Sequence, residues 1–244
     1  MWAVIPLKNF NNAKQRLSGL LLPSERVNLF KAMVEDLLTV LAQHPDLHGT
    51  ILVSDDFTVK NLAQQHGLEL VTETELGVNG LNEVVQATVN KLALRGIDDV
   101  MVIHGDLPLL TEQEISILIK SHQQAKSPAI TIAQDTAGQG SNCVLCTPAS
   151  QMHFQYGVNS LLKHKAHAIK ISASLQIINL AGAQCDIDTP ADLITLVNHP
   201  LLVKTSQTKR YLDESGITEF IRNIPEESSA SHSLCSTVNY QQLD

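Results

Sequence analysis

The sequence predicts an α/β fold, a three-layer arrangement in which a mostly parallel sheet carries helices on both faces. Short apolar runs alternate with longer segments of helical periodicity along most of the chain. The run Val100-Met-Val-Ile103 is apolar throughout, as a central strand covered on both faces requires. Several runs empty into charged or glycine-bearing loops, and open α/β sheets bind ligands beyond the carboxyl ends of their strands.

The elements follow in order. Trp2 to Ile5 is the first strand, ended by Pro6, which cannot donate to a ladder. Pro23 stands near the start of a helix marked by Val27, Phe30, Val34, Leu37, Leu38 and Leu41. Thr50 to Ser54 is the second strand, ending at Asp55 and Asp56. A polar helix runs to Gly67, a C-cap, and Leu68 to Val71 is the third strand. Thr72 to Gly80 reads as a loop before a helix from Leu81 to Leu94. After Val100–Ile103, Thr111-Glu-Gln-Glu114 has the pattern of a capping box. Ala129–Ala133 and Cys143–Cys146 are strands around the loop Gln134–Asn142. Gly157 to His167 reads as a helix, followed by strands at Ala168–Ile171 and Gln176–Leu180. Pro190 opens a helix reaching Val197, with Thr189 as its N-cap. The main domain is expected over residues 1–199 and a C-terminal extension over 200–244. The extension is read as one amphipathic helix, Lys209 to Arg222, carrying Leu212, Ile217, Phe220 and Ile221. A Ser- and Gln-rich disordered tail, Glu226 to Asp244, follows.

Composition narrows the function. The apolar fraction of 43% is ordinary for a globular protein, and the net charge of −8 disfavours nonspecific nucleic-acid binding. No apolar run has the ~18 residues of a membrane span, and the start lacks the basic and apolar regions of a signal peptide. The cytoplasm is the expected location. Cys143 and Cys146 form a C-x-x-C, but no second pair completes a zinc site, so both read as small hydrophobes.

Six segments could carry chemistry. Lys8, Lys14 and Arg16 follow the first strand and could hold a polyphosphate by side-chain charge, since no Walker A glycine pattern is present. A solvated basic loop is the plain alternative. Asp106, in His104-Gly-Asp-Leu-Pro108, follows the buried Val100–Ile103 strand. Asp186 and Asp188 alternate in an extended segment, which puts their carboxylates on one face. Such carboxylates repel unless a cation lies between them, and oxygen-only ligands select Mg²⁺ or Mn²⁺ over zinc. Asp106 and Asp188, helped by Asp186, are therefore the expected metal site. Asn79, Gly80 and Asn82 form a glycine-bracketed turn whose amides suit a base edge, although a simple Asn-capped turn fits as well. Gly138-Gln-Gly140-Ser-Asn142 resembles a backbone anion loop, and Tyr156-Gly157-Val-Asn-Ser160 opens a helix whose N-terminus favours an anion. His164 and His167 are left outside the chemistry.

These motifs occur in a specific order. Ala3-Val-Ile-Pro-Leu-Lys8, Ala13-Lys-Gln-Arg-Leu17, Gly80-Leu-Asn82 and Gly105-Asp-Leu-Pro108 come first. Gly140-Ser-Asn142, Tyr156-Gly157 with Ser160 and His164, and Asp186-Ile-Asp-Thr-Pro190 follow. The chain, from Met1 to about Val197, resembles the phospholactate guanylyltransferase (CofC/FbiD-like) family of deazaflavin coenzyme F420 biosynthesis. The resemblance implies a Rossmann-like, GT-A-type nucleotidyltransferase, similar to nucleotide-diphospho-sugar transferases. It implies transfer of GMP from GTP, with Mg²⁺, to 2-phospho-L-lactate, phosphoenolpyruvate or 3-phospho-D-glycerate. Pro6, Lys8, Lys14, Arg16, Asn79, Gly80 and Asn82 would then serve the nucleotide. Lys8, Lys14, Arg16 and Asp106 would serve catalysis. Ser141, Asn142, Gly157 and Ser160 would hold the acid, Ser141 replacing the more usual Thr. A second copy of the chain and the downstream transferase of the same pathway are candidate protein partners. The competing readings are a transferase for a sugar-phosphate or molybdopterin-type acceptor, a GT-A glycosyltransferase, and a noncatalytic nucleotide-binding protein.

Overall fold

The computed structural model describes residues 1–42 and 44–224. The expected tail, Glu226 to Asp244, lies outside the described residues. Strands β1 (Trp2–Pro6), β2 (Gly49–Val53), β3 (Glu69–Val71), β4 (Val100–Ile103), β5 (Ala129–Gln134), β6 (Ser141–Thr147) and β7 (Ser174–Ile178) form one sheet, ordered β3-β2-β1-β4-β6-β5-β7. All pairs are parallel except those of β6, which runs antiparallel to both β4 and β5.

Side-chain alternation divides the interior into two layers, because successive strand residues face opposite sides. On β1, Ala3 and Ile5 join one core with α1 (Pro23–Ala42), α2 (Phe57–His66), α5 (Glu112–Gln124) and α7 (Pro190–Val197). Val4 joins the other core, under α4 (Leu81–Leu94) and α6 (Ser160–Lys170). β4 alternates in the same way, and all four of its residues are buried. Cys143 and Cys146 fall into opposite layers, so they cannot share a metal. Burial pushes the Cys146 thiol up to about 12, and Cys143 in the same direction.

The helix signals worked where local chemistry dictates them. Thr111 and Thr189 each form a capping box, with Glu114 and Asp192, and Gly67 ends α2 in the left-handed region at φ +63°. Three expectations need correction. The loop Thr72–Gly80 contains a short helix, α3 (Glu73–Leu76), capped by a Thr72–Glu75 box. Ala168–Ile171 is no strand: Ala168 to Lys170 complete α6, whose period buries Leu161, His164 and Ala168 on one side, and Ile171 caps the helix. The helix expected over 209–222 is two, α8 (Gln207–Glu214) and α9 (Ile217–Arg222), because Gly216 takes φ +77° between them.

These last helices lie on the main core. Asp36 of α1 accepts from the backbone N–H groups of Gln207 and Thr208 at 2.7 and 2.9 Å, and Leu212, Ile217 and Ile221 enter the layer that contains α1. Among the described residues no helix is long and apolar enough to cross a membrane.

The sheet order positions the site. β1 has β2 on one side and β4 on the other, so a crevice opens at their carboxyl ends. Antiparallel β6 begins at that same edge, where His104 donates its backbone N–H to the Asn142 carbonyl at 3.1 Å. The segment 183–188 is pinned behind the crevice by Gly182, whose N–H donates to Glu114 Oε1 at 2.8 Å. A Cβ on Gly182 would lie 2.1 Å from the Leu109 carbonyl oxygen and 2.4 Å from Glu114 Oε2. Gly182→Ala should therefore cost ~2 kcal/mol or more in urea unfolding and lower the activity of the folded fraction, because the segment bearing Asp186 and Asp188 must shift.

Candidate active site

The loop after β1 is not open coil. It forms 3₁₀ turns at Phe10–Asn12 and Gln15–Gly19, anchored by the buried Phe10 and Leu17. Phe10 donates its N–H to Asp56 Oδ2 at 2.7 Å and packs edge-on against Phe30, with ring centroids 4.8 Å apart. Lys14 sits between the turns at φ +53°, an uncommon conformation for a side-chain-bearing residue.

Lys14 is the centre of the site. Its Nζ donates to Asp106 Oδ2 at 2.5 Å and to Asp188 Oδ1 at 2.8 Å, and lies 5.5 Å from the centroid of the Phe30 ring. The Lys14 side chain is 5% exposed. Burial opposes the ammonium, but Asp106 and Asp188 outweigh it and raise the Lys14 pKa. Burial likewise opposes the Asp106 carboxylate, and Lys14 outweighs that, holding Asp106 below the usual range. Asp106 and Asp188 both meet Lys14, and Asp186 lines the same cavity, but among the described residues no three acidic, His or Cys side chains are grouped closely enough to hold a metal ion. Lys14, expected to face a triphosphate, instead lies between Asp106 and Asp188.

The third carboxylate has its own partner. Asp186 Oδ1 accepts from Asn142 Nδ2 at 3.0 Å, and the same nitrogen is 3.2 Å from the Ala183 carbonyl. Burial raises Asp186 to about 6, eased by the Asn142 bond and reinforced by Asp106 and Asp188. Asp188 is set by the α7 cap, where Asp192 Oδ2 accepts from the N–H groups of Asp188 and Thr189. Gly105 lines the first cavity and also packs closely: a Cβ there would meet Leu7 Cδ2 at 2.4 Å.

Two cavities meet at these carboxylates. The first, 310 Å³, is lined by Pro6, Lys8, Lys14, Phe30 and Asp106 among others. The second, 760 Å³, is lined by Arg16, Ser141, Asn142, Gly157, Ser160 and Asp186 among others. Leu81, His104, Asp106 and Asp188 border both. Arg16, grouped with Lys8 and Lys14 on sequence grounds, lines the second cavity and not the first.

The Asn82 amide, expected to read a base, is engaged by backbone: its Oδ1 accepts from the Tyr156 N–H at 2.6 Å, and its Nδ2 is 3.4 Å from the Tyr156 carbonyl. It joins α4 to the Tyr156–Gly157 corner. Asn79 is exposed and lines neither cavity, while Gly80 borders a smaller one beyond Lys8.

Ser141 and Asn142 are strand residues with buried side chains, not a loop of free N–H groups. Ser141 Oγ is 3.0 Å from His164 Nδ1 and 3.4 Å from Ser160 Oγ. The Gln155 N–H donates to His164 Nε2 at 3.0 Å. That bond makes Nε2 the acceptor, so the neutral ring carries its proton on Nδ1 and donates it to Ser141. Burial, with smaller contributions from His167 and His104, lowers His164 to about 4 and keeps it neutral.

Sequence reasoning missed His104 and Tyr156 as site residues. Their rings lie 4.9 Å apart between the cavities, and His104 Nε2 and the Tyr156 hydroxyl are buried without hydrogen-bond partners among the described residues. Burial lowers the His104 pKa, opposed by Asp106. The signal available was position: His104 immediately precedes Gly105-Asp106 at the end of a buried strand.

The His164 shift makes a pH prediction. A folded pKa of about 4 against an ordinary 6.5 means that the unfolded chain binds the proton first. This contribution is intact above pH 6.5, falls as pH drops towards 4, and levels off below; it amounts to ~3 kcal/mol. Urea unfolding across that range should show the loss in the wild type and a shallower slope in His164→Asn.

The whole arrangement has counterparts. The family model described as guanylyl transferase CofC like matches residues 1–233. A phosphoenolpyruvate guanylyltransferase of Sphaerobacter thermophilus is 31% identical over 214 residues, covering 88% of this chain and 98% of that protein. A 2-phospho-L-lactate guanylyltransferase of Methanothermobacter thermautotrophicus is 30% identical over 197 residues, covering 81% and 84%. Among solved structures, a protein from Desulfovibrio desulfuricans G20 assigned as a nucleotide-diphospho-sugar transferase superposes with a TM-score of 0.73 at 18% identity, covering 91% of this chain and 96% of that one. A cytidylyltransferase from Leptospira borgpetersenii gives 0.55 at 10% identity, covering 98% and 99%. These two share the fold, a GT-A-like nucleotidyltransferase sheet. With the family match running from the first strand through the last described helix, this chain belongs to the CofC-like guanylyltransferase family.

Proposed function

We propose that the chain transfers GMP from GTP to a small phosphorylated carboxylic acid and releases pyrophosphate. The observation that carries this reading is the meeting of two cavities at one charged cluster, Lys14 with Asp106 and Asp188. A nucleotide occupies the cavity beside Pro6, Lys8 and Lys14. The acid occupies the cavity beside Arg16, Ser141 and Ser160, and the resemblance offers 2-phospho-L-lactate, phosphoenolpyruvate or 3-phospho-D-glycerate as its candidates. The names of the relatives support both assignments.

In the reaction, an oxygen of the acid's phosphate bonds to the α-phosphorus. The bond from that phosphorus to the bridging oxygen breaks, and pyrophosphate leaves with the electron pair. A phosphate monoester is already largely dianionic at neutral pH, so no general base is required. Lys8 and Lys14 offset the charge of the triphosphate, and Arg16 that of the acid. The site's contribution is positioning and charge neutralisation. The product is a mixed pyrophosphate, suited to a second transferase that expels GMP. Both substrates place the activity in the cytoplasm.

Among the described residues no ready-made group of three such side chains is present, because Lys14 occupies the space between Asp106 and Asp188; the donor chemistry suits a hard divalent cation once Lys14 is displaced. Asp106 Oδ1 is buried with no partner among the described residues, and Asp186 and Asp188 line the same cavity with carboxylate oxygens. Mg²⁺ or Mn²⁺ held by these three would neutralise phosphate charge during transfer. Lys14 must then loosen its hold on Asp106 and Asp188, and is released towards phosphate oxygens.

Two measurements test this reading. Incubation with GTP, Mg²⁺ and each of the three acids, followed by mass spectrometry, should show a guanylylated acid and pyrophosphate for at least one. Asp106→Asn should reduce that turnover ~100-fold or more. Lys14→Met should cost ~3 kcal/mol in metal-free unfolding, because it leaves Asp106 buried without its cation. Excess Mg²⁺ should restore part of that loss; no Mg²⁺ effect on the variant would remove the three aspartates as a metal site.

A further inference from the structure

Beyond Lys8, the nucleotide-side cavity adjoins a third cavity of 220 Å³. The two share Pro6, Lys8 and Leu81, and the third adds Val53, Glu73 and Gly80. Its size is below the ~300–1,000 Å³ of a site for a whole drug-sized ligand, so it suits one part of a longer ligand whose remainder lies next door. Val53, Leu81 and Val84 supply apolar walls for a flat ring.

Glu73 is the one acidic residue lining this cavity. Its carboxylate makes no hydrogen bond or ion pair with any described residue, whereas that of its neighbour Glu75 closes the Thr72 capping box. Gly80 gives α4 no side-chain cap, so the first N–H groups of that helix stand beside the same space without one.

We infer that Glu73 selects the base, its carboxylate accepting from the N1–H and the N2 amino group of a guanine seated in this cavity. The assignment rests on the reading of the chain as a GTP-dependent transferase. A carboxylate is an acceptor only. Guanine offers it two adjacent donors. Adenine and cytosine present a lone pair at the corresponding ring nitrogen, and uracil flanks its single N–H with carbonyls. The α4 N–H groups supply donors for the guanine O6. Asn82, whose amide is engaged by the Tyr156 backbone, is replaced in this role by a residue from α3, the helix that sequence analysis took for loop.

Calorimetric titration with GTP, ITP and ATP tests this without any acid present. The wild type should bind GTP more tightly than ITP, which lacks the N2 amino group, and ITP more tightly than ATP. Glu73→Gln should weaken GTP binding about tenfold or more, weaken ITP less, and leave ATP unchanged. Glu83→Gln, which alters the other carboxylate near Gly80, should keep the order of preference. Thermal unfolding should match for both variants and the wild type. Unchanged GTP affinity in Glu73→Gln, or equal losses for all three nucleotides, would overturn the assignment. Failure of the transferase reading looks different: selective GTP binding through Glu73 with no pyrophosphate from any acid. A wild type without preference for GTP would remove both.

Discussion

One ammonium ties three remote parts of the chain together. Lys14 lies 92 residues from Asp106 and 174 from Asp188, and its Nζ touches both. Desolvating these charges is costly, so the group persists only because each has its counterpart in place. The arrangement explains the surrounding geometry. Phe10 and Leu17 anchor the turns on either side of Lys14, Gly105 lets the β4 loop pack against Leu7, and the α7 cap fixes Asp188. A charged triad held this tightly also defines the wall at which the two cavities meet.

The reversed strand β6 does the rest. Because it runs antiparallel to β4, its first residues stand beside the last residue of β4, and Ser141 and Asn142 line the cavity that the aspartates border. Asn142 reaches Asp186, and Ser141 is oriented by a neutral His164. The larger cavity is thus lined by strand residues and a helix start, positioned by buried hydrogen bonds. The two smaller cavities are lined mainly from the loop after β1 and the start of α4, with Glu73 after β3 in one of them.

Legibility followed the range of the interactions. The strands β1 and β4, the capping boxes at Thr111 and Thr189, and the C-cap at Gly67 are set by residues a few positions apart, and all were readable. Lys8, Lys14, Arg16 and the three aspartates all line the two adjoining cavities, where loops beyond strand ends face the crevice. The errors have local causes as well. Ala168–Ile171 looks like a strand because its apolar residues are contiguous, yet its burial follows the helical period of α6. Thr72–Gly80 has the polar, glycine-bearing composition of a loop and still holds a helical turn, closed by the Thr72–Glu75 box.

From residue order alone came the α/β class, the family and the identity of most of the charged groups, since alternation, caps and motif order are carried by the chain itself. Partnership was decided only in three dimensions. Nothing in the spacing of Lys14 says that it binds Asp106 and Asp188, that Asn82 is engaged by the Tyr156 backbone, or that Glu73 is left beside an apolar cavity. Those outcomes depend on which elements the sheet order sets side by side, and on which polar groups burial obliges to pair.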